Sequence, residues 1–212
     1  MHSPRLTLII TAPHQDDRAL HRSMLAAIGA VHALGSDTVN IILSVGSDVT
    51  INMAVHDMIK NNNEHITTLF NASANLDHAA AANLALLSPA GSQSDQAMIL
   101  RQSDMIDIFG LSRLWKEHIA HSYCAFTLGN QRHAQRAKQD RSRMISRTTW
   151  EADPSDVSAE MAPAGIYCVP TIRKLGGLNE ADDINPTASL LSRLAEKYPG
   201  QMSTTHAVFL GP

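Results

Sequence analysis

The sequence predicts one α/β domain over residues 1–212, with a mostly parallel or mixed central sheet that is flanked by helices. Two observations lead to this fold class. Short apolar runs typical of buried strands alternate with segments in which apolar residues recur at helical spacing. Aromatic residues make up only 4% of the chain, so Ala, Leu, Ile and Met supply most of the apolar side chains. That composition suits helices packed on a sheet better than an all-β sandwich.

The elements follow in order along the chain. Arg5–Thr11 is a β-favouring apolar run that ends before Pro13, and Asp16 and Asp17 then stand where a helix would begin. That helix runs to Gly35, where glycine is a common terminator. The other predicted strands are Thr38–Val45, His65–Phe70, Asp104–Gly110, Ser122–Leu128 and Gly165–Pro170, and the other predicted helices are Asn52–Lys60, Asp77–Leu87, Leu111–His118 and Ala188–Lys197, with a loop over Ser88–Ser94.

Composition narrows the class of protein. A formal net charge of −3 argues against a dedicated nucleic-acid or membrane-surface protein. No apolar run approaches the roughly 20 residues that span a bilayer, and no signal-peptide core is evident, so we expect a cytoplasmic protein. The two cysteines, Cys124 and Cys168, lie in apolar runs and suit buried free thiols better than a disulfide framework. The sequence leaves the oligomeric state open, a homo-oligomer included.

The turn after the first strand is the most informative segment for function. Ligands of open α/β sheets bind outside the carboxyl ends of the strands, and Pro13–Asp17 falls there. Two adjacent carboxylates repel each other unless a cation or hydrogen-bond donors neutralise them. Oxygen-rich groups suit Ca²⁺ or Mg²⁺, and His14 nearby also allows Zn²⁺. The alternative is that Asp16 and Asp17 only cap the helix that follows.

This turn, Ile10–Asp17, resembles the D-x-D-x-G-x-D-D turn of the nucleoside hydrolase (inosine–uridine nucleosidase) family in its final aspartate pair. Further segments resemble that family in the same order along the chain: Val45–Ile59, Gly110–Arg113, Leu128–Asn130, Thr149–Asp156, Gly165–Pro186 and His206–Pro212. The resemblance implies a Rossmann-like sheet and hydrolysis of the N-glycosidic bond of a small-molecule ribonucleoside to free base and ribose, as in nucleoside salvage.

The resemblance also implies roles for individual residues. Those roles are a general base at Asp16, leaving-group assistance from His206, Ca²⁺ ligands at Asp17 and the Ile108 carbonyl, and sugar contacts at Ser47 and Asn130. Ala12 and Ala207 stand where two further metal carboxylates belong, and Arg147 and Thr149 replace sugar-binding residues. Because carboxylate charge attracts Ca²⁺, we expect weak or absent Ca²⁺ binding. A catalytically impaired homologue or a non-catalytic binding domain therefore remains an alternative to an active hydrolase.

A second resemblance implies a different metal. Pro13–Asp17 is similar to the P-H-x-D-D turn of the zinc-dependent N-acetylglucosaminyl deacetylases, and Asp77-His78 looks like a D-H ligand motif of that family. In that alternative His14, Asp17 and His78 would bind Zn²⁺. Arg18 departs from the family, which has a glutamate at that position.

Overall fold

The computed structural model describes residues 5–35, 37–71, 77–133, 144–145, 165–181 and 186–210. The predicted positions Arg147 and Thr149 and the segment Thr149–Asp156 lie outside these residues. The strands are β1 (Leu6–Ala12), β2 (Val39–Val45), β3 (Ile66–Phe70), β4 (Gln96–Arg101), β5 (Met105–Ile106), β6 (Phe126–His133), β7 (Met144–Ile145), β8 (Gly165–Cys168) and β9 (Gly200–Leu210). The helices are α1 (Asp17–Leu34), α2 (Met53–Asn61), α3 (His78–Leu87), α4 (Pro89–Ser92), α5 (Ile108–Ala120), α6 (Val169–Lys174) and α7 (Pro186–Ala195).

Within the described residues, these strands form one mixed sheet in the order β3-β2-β1-β4-β8-β6-β9-β5, with β7 paired to β6. Strands β1 to β4 are parallel to their neighbours in this half of the sheet. Antiparallel pairs join β8 to β4 and to β6, while β6 and β9 run parallel. The chain moves outward from β1 through β2 to β3 and then returns to place β4 on the other side of β1.

Helices cover both faces of the sheet, and the alternation of side chains along β1 shows how. Leu6, Leu8 and Ile10 are fully buried in a core shared with α1, α2 and α5. Ile9 points the other way, into a core shared with α3 and α7. A strand that is buried on both faces reads as a continuous apolar run, and for this reason Arg5–Thr11 was recognisable from the sequence.

The predicted fold class, an α/β domain with a mixed sheet, is confirmed. Between residues 96 and 110 one predicted strand is wrong and one strand of the structure has no counterpart among the predictions. The strand predicted over Asp104–Gly110 is reduced to β5, and α5 begins at Ile108 because the Asp107 side chain accepts a hydrogen bond from the Gly110 amide at 3.0 Å. The preceding run Gln96–Arg101, which received no prediction, is the central strand β4.

In the parts of the chain that the structure describes, we find no helix with both the length and the apolar character needed to cross a membrane.

Candidate functional site

The sheet has a topological switch point between β1 and β4. From β1 the chain passes to β2 on one side, while β4, which comes later, pairs on the other side. Connections that leave neighbouring parallel strands in opposite directions open a crevice at the carboxyl ends of those strands, and ligands of open α/β sheets bind there. We call the carboxyl ends of β1, β2 and β4, together with the start of α3, the switch-point crevice.

The loops after β1 and β2 form one wall of this crevice. The Gly46 amide donates to the Ala12 carbonyl at 3.0 Å. The Gln15 side chain accepts from the Thr50 amide at 2.7 Å and donates to the Thr50 carbonyl at 3.0 Å. A Cβ at position 46 would lie 2.6 Å from the Pro13 carbonyl oxygen, so the two loops can approach this closely only because residue 46 is glycine.

Asp16 and Asp17 lie at the carboxyl end of β1, as predicted, and both are exposed. Asp16 is the N-cap of α1, and its Oδ1 atom accepts from the Ala19 amide at 3.0 Å. Asp17 is the first residue of the helix and accepts a hydrogen bond from the Gln15 side-chain amide. In this structure Asp16 caps the helix and Asp17 contacts the loop, so the pair has a structural role that needs no cation.

A partly buried polar cluster with no counterpart among the predicted site residues lies at the carboxyl ends of β1 and β4. The Thr11 hydroxyl lies 3.2 Å from the Leu100 carbonyl oxygen and 2.5 Å from His78 Nδ1. The Thr11 hydroxyl has one proton, so it can donate either to the Leu100 carbonyl or to His78 Nδ1, and the tautomer of His78 decides which. Burial lowers the pKa of His78 to about 4, a shift that Asp104 opposes and Arg101 reinforces. His78 is consequently neutral near pH 7.

Arg101, the last residue of β4, forms an ion pair with Asp104 in this cluster. Arg101 Nη2 lies 3.2 Å from Asp104 Oδ1, and Nε donates to Oδ2 at 3.4 Å. The Arg101 backbone amide also donates to Oδ2 at 2.9 Å. The Asp104 side chain is only 4% exposed, whereas that of Arg101 is 42% exposed. The carboxylate thus holds the guanidinium in place at the end of β4 with part of its surface open to solvent.

The six residues assigned roles by resemblance fall into two groups. Asp16, Asp17 and Ser47 lie at the switch-point crevice, after β1 and β2. Asn130 and His206 lie opposite each other in the β6–β9 ladder, far along the strand order from β1. Ile108, the first residue of α5, belongs with this second group.

Ile108 and Asp17 contact different parts of α1. The Ile108 side chain packs on Gly29, where an added Cβ would lie 2.7 Å from Ile108 Cδ1. Gly29 is twelve residues after Asp17 on the same helix, which is about 18 Å along the axis. Ca²⁺ ligands lie about 2.3–2.6 Å from the ion, so the structure does not bring these two residues to one metal.

The described residues also offer little for either predicted metal. They contain no group of three or more His, Cys, Asp or Glu side chains that could hold an ion. Ala12 and Ala207 are fully buried and carry no ligand atom in their side chains. His14 and Asp17 are exposed, His78 Nδ1 faces Thr11, and these three residues predicted for the deacetylase resemblance do not form a metal-holding group in the described structure.

Comparison with known proteins yields structural neighbours but no sequence relatives: no family model and no curated protein matches this chain. Staphylococcus aureus TarS 1–349 in complex with UDP is similar in fold (TM-score 0.72, 8% identity, 97% of this chain and 60% of that chain). The mannosyltransferase PcManGT from Pyrobaculum calidifontis, in complex with GDP-Man and Mn²⁺, is similar at TM-score 0.63 (14% identity, 96% and 56%). 4-Diphosphocytidyl-2C-methyl-D-erythritol synthase from Anaerococcus prevotii is similar at TM-score 0.55 (14% identity, 96% and 87%).

The predicted relationship to nucleoside hydrolases is therefore wrong. The neighbours are GT-A-like glycosyltransferases and a nucleotidyltransferase-like enzyme, and nucleoside hydrolysis, glycosidase activity and the deacetylase alternative are not supported. Among the described residues, Ile10–Asp17 is a turn between a strand and a helix, where Asp recurs because it caps helices, whereas Gly110–Arg113 lies inside α5 and Leu128–Asn130 inside β6. At identities of 8–14%, the neighbours show the fold alone, and the chain spans about 60% of the length of TarS 1–349.

One sequence pattern indicates the side of the crevice that contains Arg101 and Asp104. Ala97–Leu100 is an apolar run of strand length that follows a polar loop, and Arg101 and Asp104 come directly after it. Assigning that run as a strand would have placed both charged residues at a carboxyl end.

Proposed function

We propose that this chain is a glycosyltransferase-like domain that binds a nucleotide sugar in the switch-point crevice. The observation that carries the proposal is the placement of charge across that crevice. A half-exposed guanidinium, that of Arg101, stands at the end of β4, and the exposed carboxylates of Asp17 and Asp48 stand after β1 and β2. Such a crevice presents a cation and hydrogen-bond acceptors on opposite sides of its central strand.

A nucleoside diphosphate sugar matches this arrangement. Its diphosphate suits a guanidinium, which binds phosphate oxygens with two parallel N–H donors. Exposed carboxylates accept hydrogen bonds from ribose hydroxyls, as acidic residues do in dinucleotide-binding sheets. The two glycosyltransferase neighbours are described with UDP and with GDP-Man, which have this chemistry.

The mannosyltransferase neighbour also contains Mn²⁺, and the residues described here do not fit that ion. Mn²⁺ favours several oxygen ligands, carboxylates above all. In the described part of the crevice, Asp104 is committed to Arg101, Asp16 and Asp77 cap helices, and no cluster of three potential ligands forms. We therefore assign no role to a metal in the proposed binding.

The experiment is a calorimetric titration of the full chain with UDP, GDP, UDP-GlcNAc and GDP-Man, with uridine and inosine as nucleosides that lack the diphosphate. We expect binding of one or more of the phosphorylated ligands and little binding of the nucleosides. Asp48→Asn should weaken that binding about tenfold, because a hydrogen bond to a charged group contributes about 1.5–3 kcal/mol.

The matched control lies at the opposite end of the same strand. Asp37 is exposed just before β2, as Asp48 is exposed just after it, and it lines a pocket of about 220 Å³ at the amino edge of the sheet. Asp37→Asn should leave nucleotide binding unchanged. If Asp37→Asn weakens binding and Asp48→Asn does not, the ligand occupies the amino-edge pocket and the proposal is wrong. Failure of every phosphorylated ligand to bind would also overturn it.

A further inference from the structure

Arg101 has more hydrogen-bond donors than Asp104 uses. A guanidinium carries five N–H groups, and the structure directs two of them, one on Nε and one on Nη2, to the carboxylate of Asp104. Among the described residues, no protein acceptor is found for the remaining three, and the Arg101 side chain is 42% exposed at the carboxyl end of β4. The ion pair fixes the side chain, so little conformational entropy remains to be lost when a ligand binds.

Asp104 is the acidic residue closest along the chain to the end of β4, and its surroundings make it a poor metal ligand. Oδ1 accepts from Arg101 Nη2, while Oδ2 accepts from both the backbone amide and Nε of the same residue. A cation at this carboxylate would have to displace the guanidinium or sit beside its positive charge, which is unfavourable in a buried site.

We propose that Arg101 binds the diphosphate of the nucleotide ligand directly and that the crevice binds this ligand without a divalent cation. This inference rests on the proposed function and names the group that neutralises the phosphates. Asp104 acts as a positioning residue, because it orients the guanidinium and leaves its outer donors free for two phosphate oxygens. In a metal site an exchangeable ion neutralises the phosphates, whereas here the guanidinium of Arg101 supplies that positive charge.

The test compares nucleotide binding in excess EDTA with binding in the presence of Mn²⁺, using UDP and GDP as probes. We expect the wild-type chain to bind with the same affinity in both conditions. In EDTA, Arg101→Gln should weaken binding of the diphosphates by roughly 10- to 100-fold, the range for loss of a hydrogen bond to a charged group. Binding of uridine, which has no phosphate, should not change.

Two further variants keep the test decisive. Arg101→Gln leaves a buried carboxylate without its partner, so the double variant Arg101→Gln/Asp104→Asn removes both charges together and avoids that cost. Arg113→Gln is the matched control, because Arg113 also pairs with a carboxylate, Glu117 at 3.3 Å, but on the exposed surface of α5. The double variant should lose diphosphate binding as Arg101→Gln does, and Arg113→Gln should bind as the wild type.

The outcomes separate this inference from the proposed function. Diphosphate binding that requires Mn²⁺ would overturn the inference and leave the proposed function intact. Binding in EDTA that survives in the double variant would exclude Arg101 as the phosphate ligand. Absence of diphosphate binding in both conditions would overturn the proposed function and the inference with it.

Discussion

Two neutral histidines, of which His118 is buried and His78 partly buried, make the stability of this fold sensitive to mild acid. His118 is 2% exposed, its Nε2 lies 2.9 Å from Gln96 Oε1, and its Nδ1 lies 2.8 Å from the Thr127 hydroxyl. This arrangement suits a neutral ring that donates from Nε2 and accepts at Nδ1. Burial lowers the pKa of His118 to about 4, and burial lowers that of His78 in the crevice to about 4 as well.

The sign and size of the effect follow from the difference between folded and unfolded states. Both imidazoles have pKa values near 6.5 when unfolded and about 4 when folded. The unfolded chain therefore binds protons that the native chain does not, and stability is lost as the pH falls from 6.5 towards 4. At 1.36 kcal/mol per pKa unit, each histidine costs about 2 kcal/mol at about pH 5, or about 4 kcal/mol together.

The assay is urea unfolding of the full chain at about pH 7.5 and about pH 5, two values above the ordinary pKa of Asp and Glu. We expect the free energy of unfolding to fall by about 4 kcal/mol in the wild type and by about 2 kcal/mol in His118→Gln, because one titrating group is removed. The readout is the change with pH in each protein, which does not depend on how much the substitution itself destabilises. Equal stability at the two pH values, or an undiminished loss in His118→Gln, would refute the reasoning.

Two further predictions concern the residues that shape the crevice. Gly46→Ala places a Cβ 2.6 Å from the Pro13 carbonyl oxygen, so we expect a loss of about 1–3 kcal/mol in urea unfolding and weaker nucleotide binding. Full stability in that variant would mean that the two loops are not held together as described. Thr11→Val keeps the side-chain shape but removes the hydroxyl between His78 and Leu100, and it should cost about 1–3 kcal/mol in the same assay. Wild-type stability there would show that the partly buried imidazole needs no partner at Nδ1.

The first half of the fold was predictable because its local signals agree with one another. β1 is an apolar run bounded by Pro13, and α1 begins with a capping aspartate at Asp16. The helix ends at Gly35, which has a φ of 96° that favours glycine. The start of α5 shows the limit of such signals. Ile108 and the residues before it read as a β-favouring run, yet a helix starts there with Asp107 as its N-cap and with Leu111, Leu114 and Trp115 buried, so capping and packing outweighed propensity.

The functional interpretation failed at the aspartate pair for a physical reason that extends to other sheets of this class. The polar residues that end a strand and begin a helix are selected by backbone geometry, so Asp16 is explained by its bond to the Ala19 amide before any ligand is considered. A more specific indicator is a charged group that local geometry does not require. Arg101 is such a group, because its guanidinium caps no helix, is paired with a buried carboxylate, and retains donors that no described protein group accepts. Arg101 reaches the switch point only because β4 pairs with β1. These strands are far apart in the sequence, so no local sequence pattern predicts their pairing.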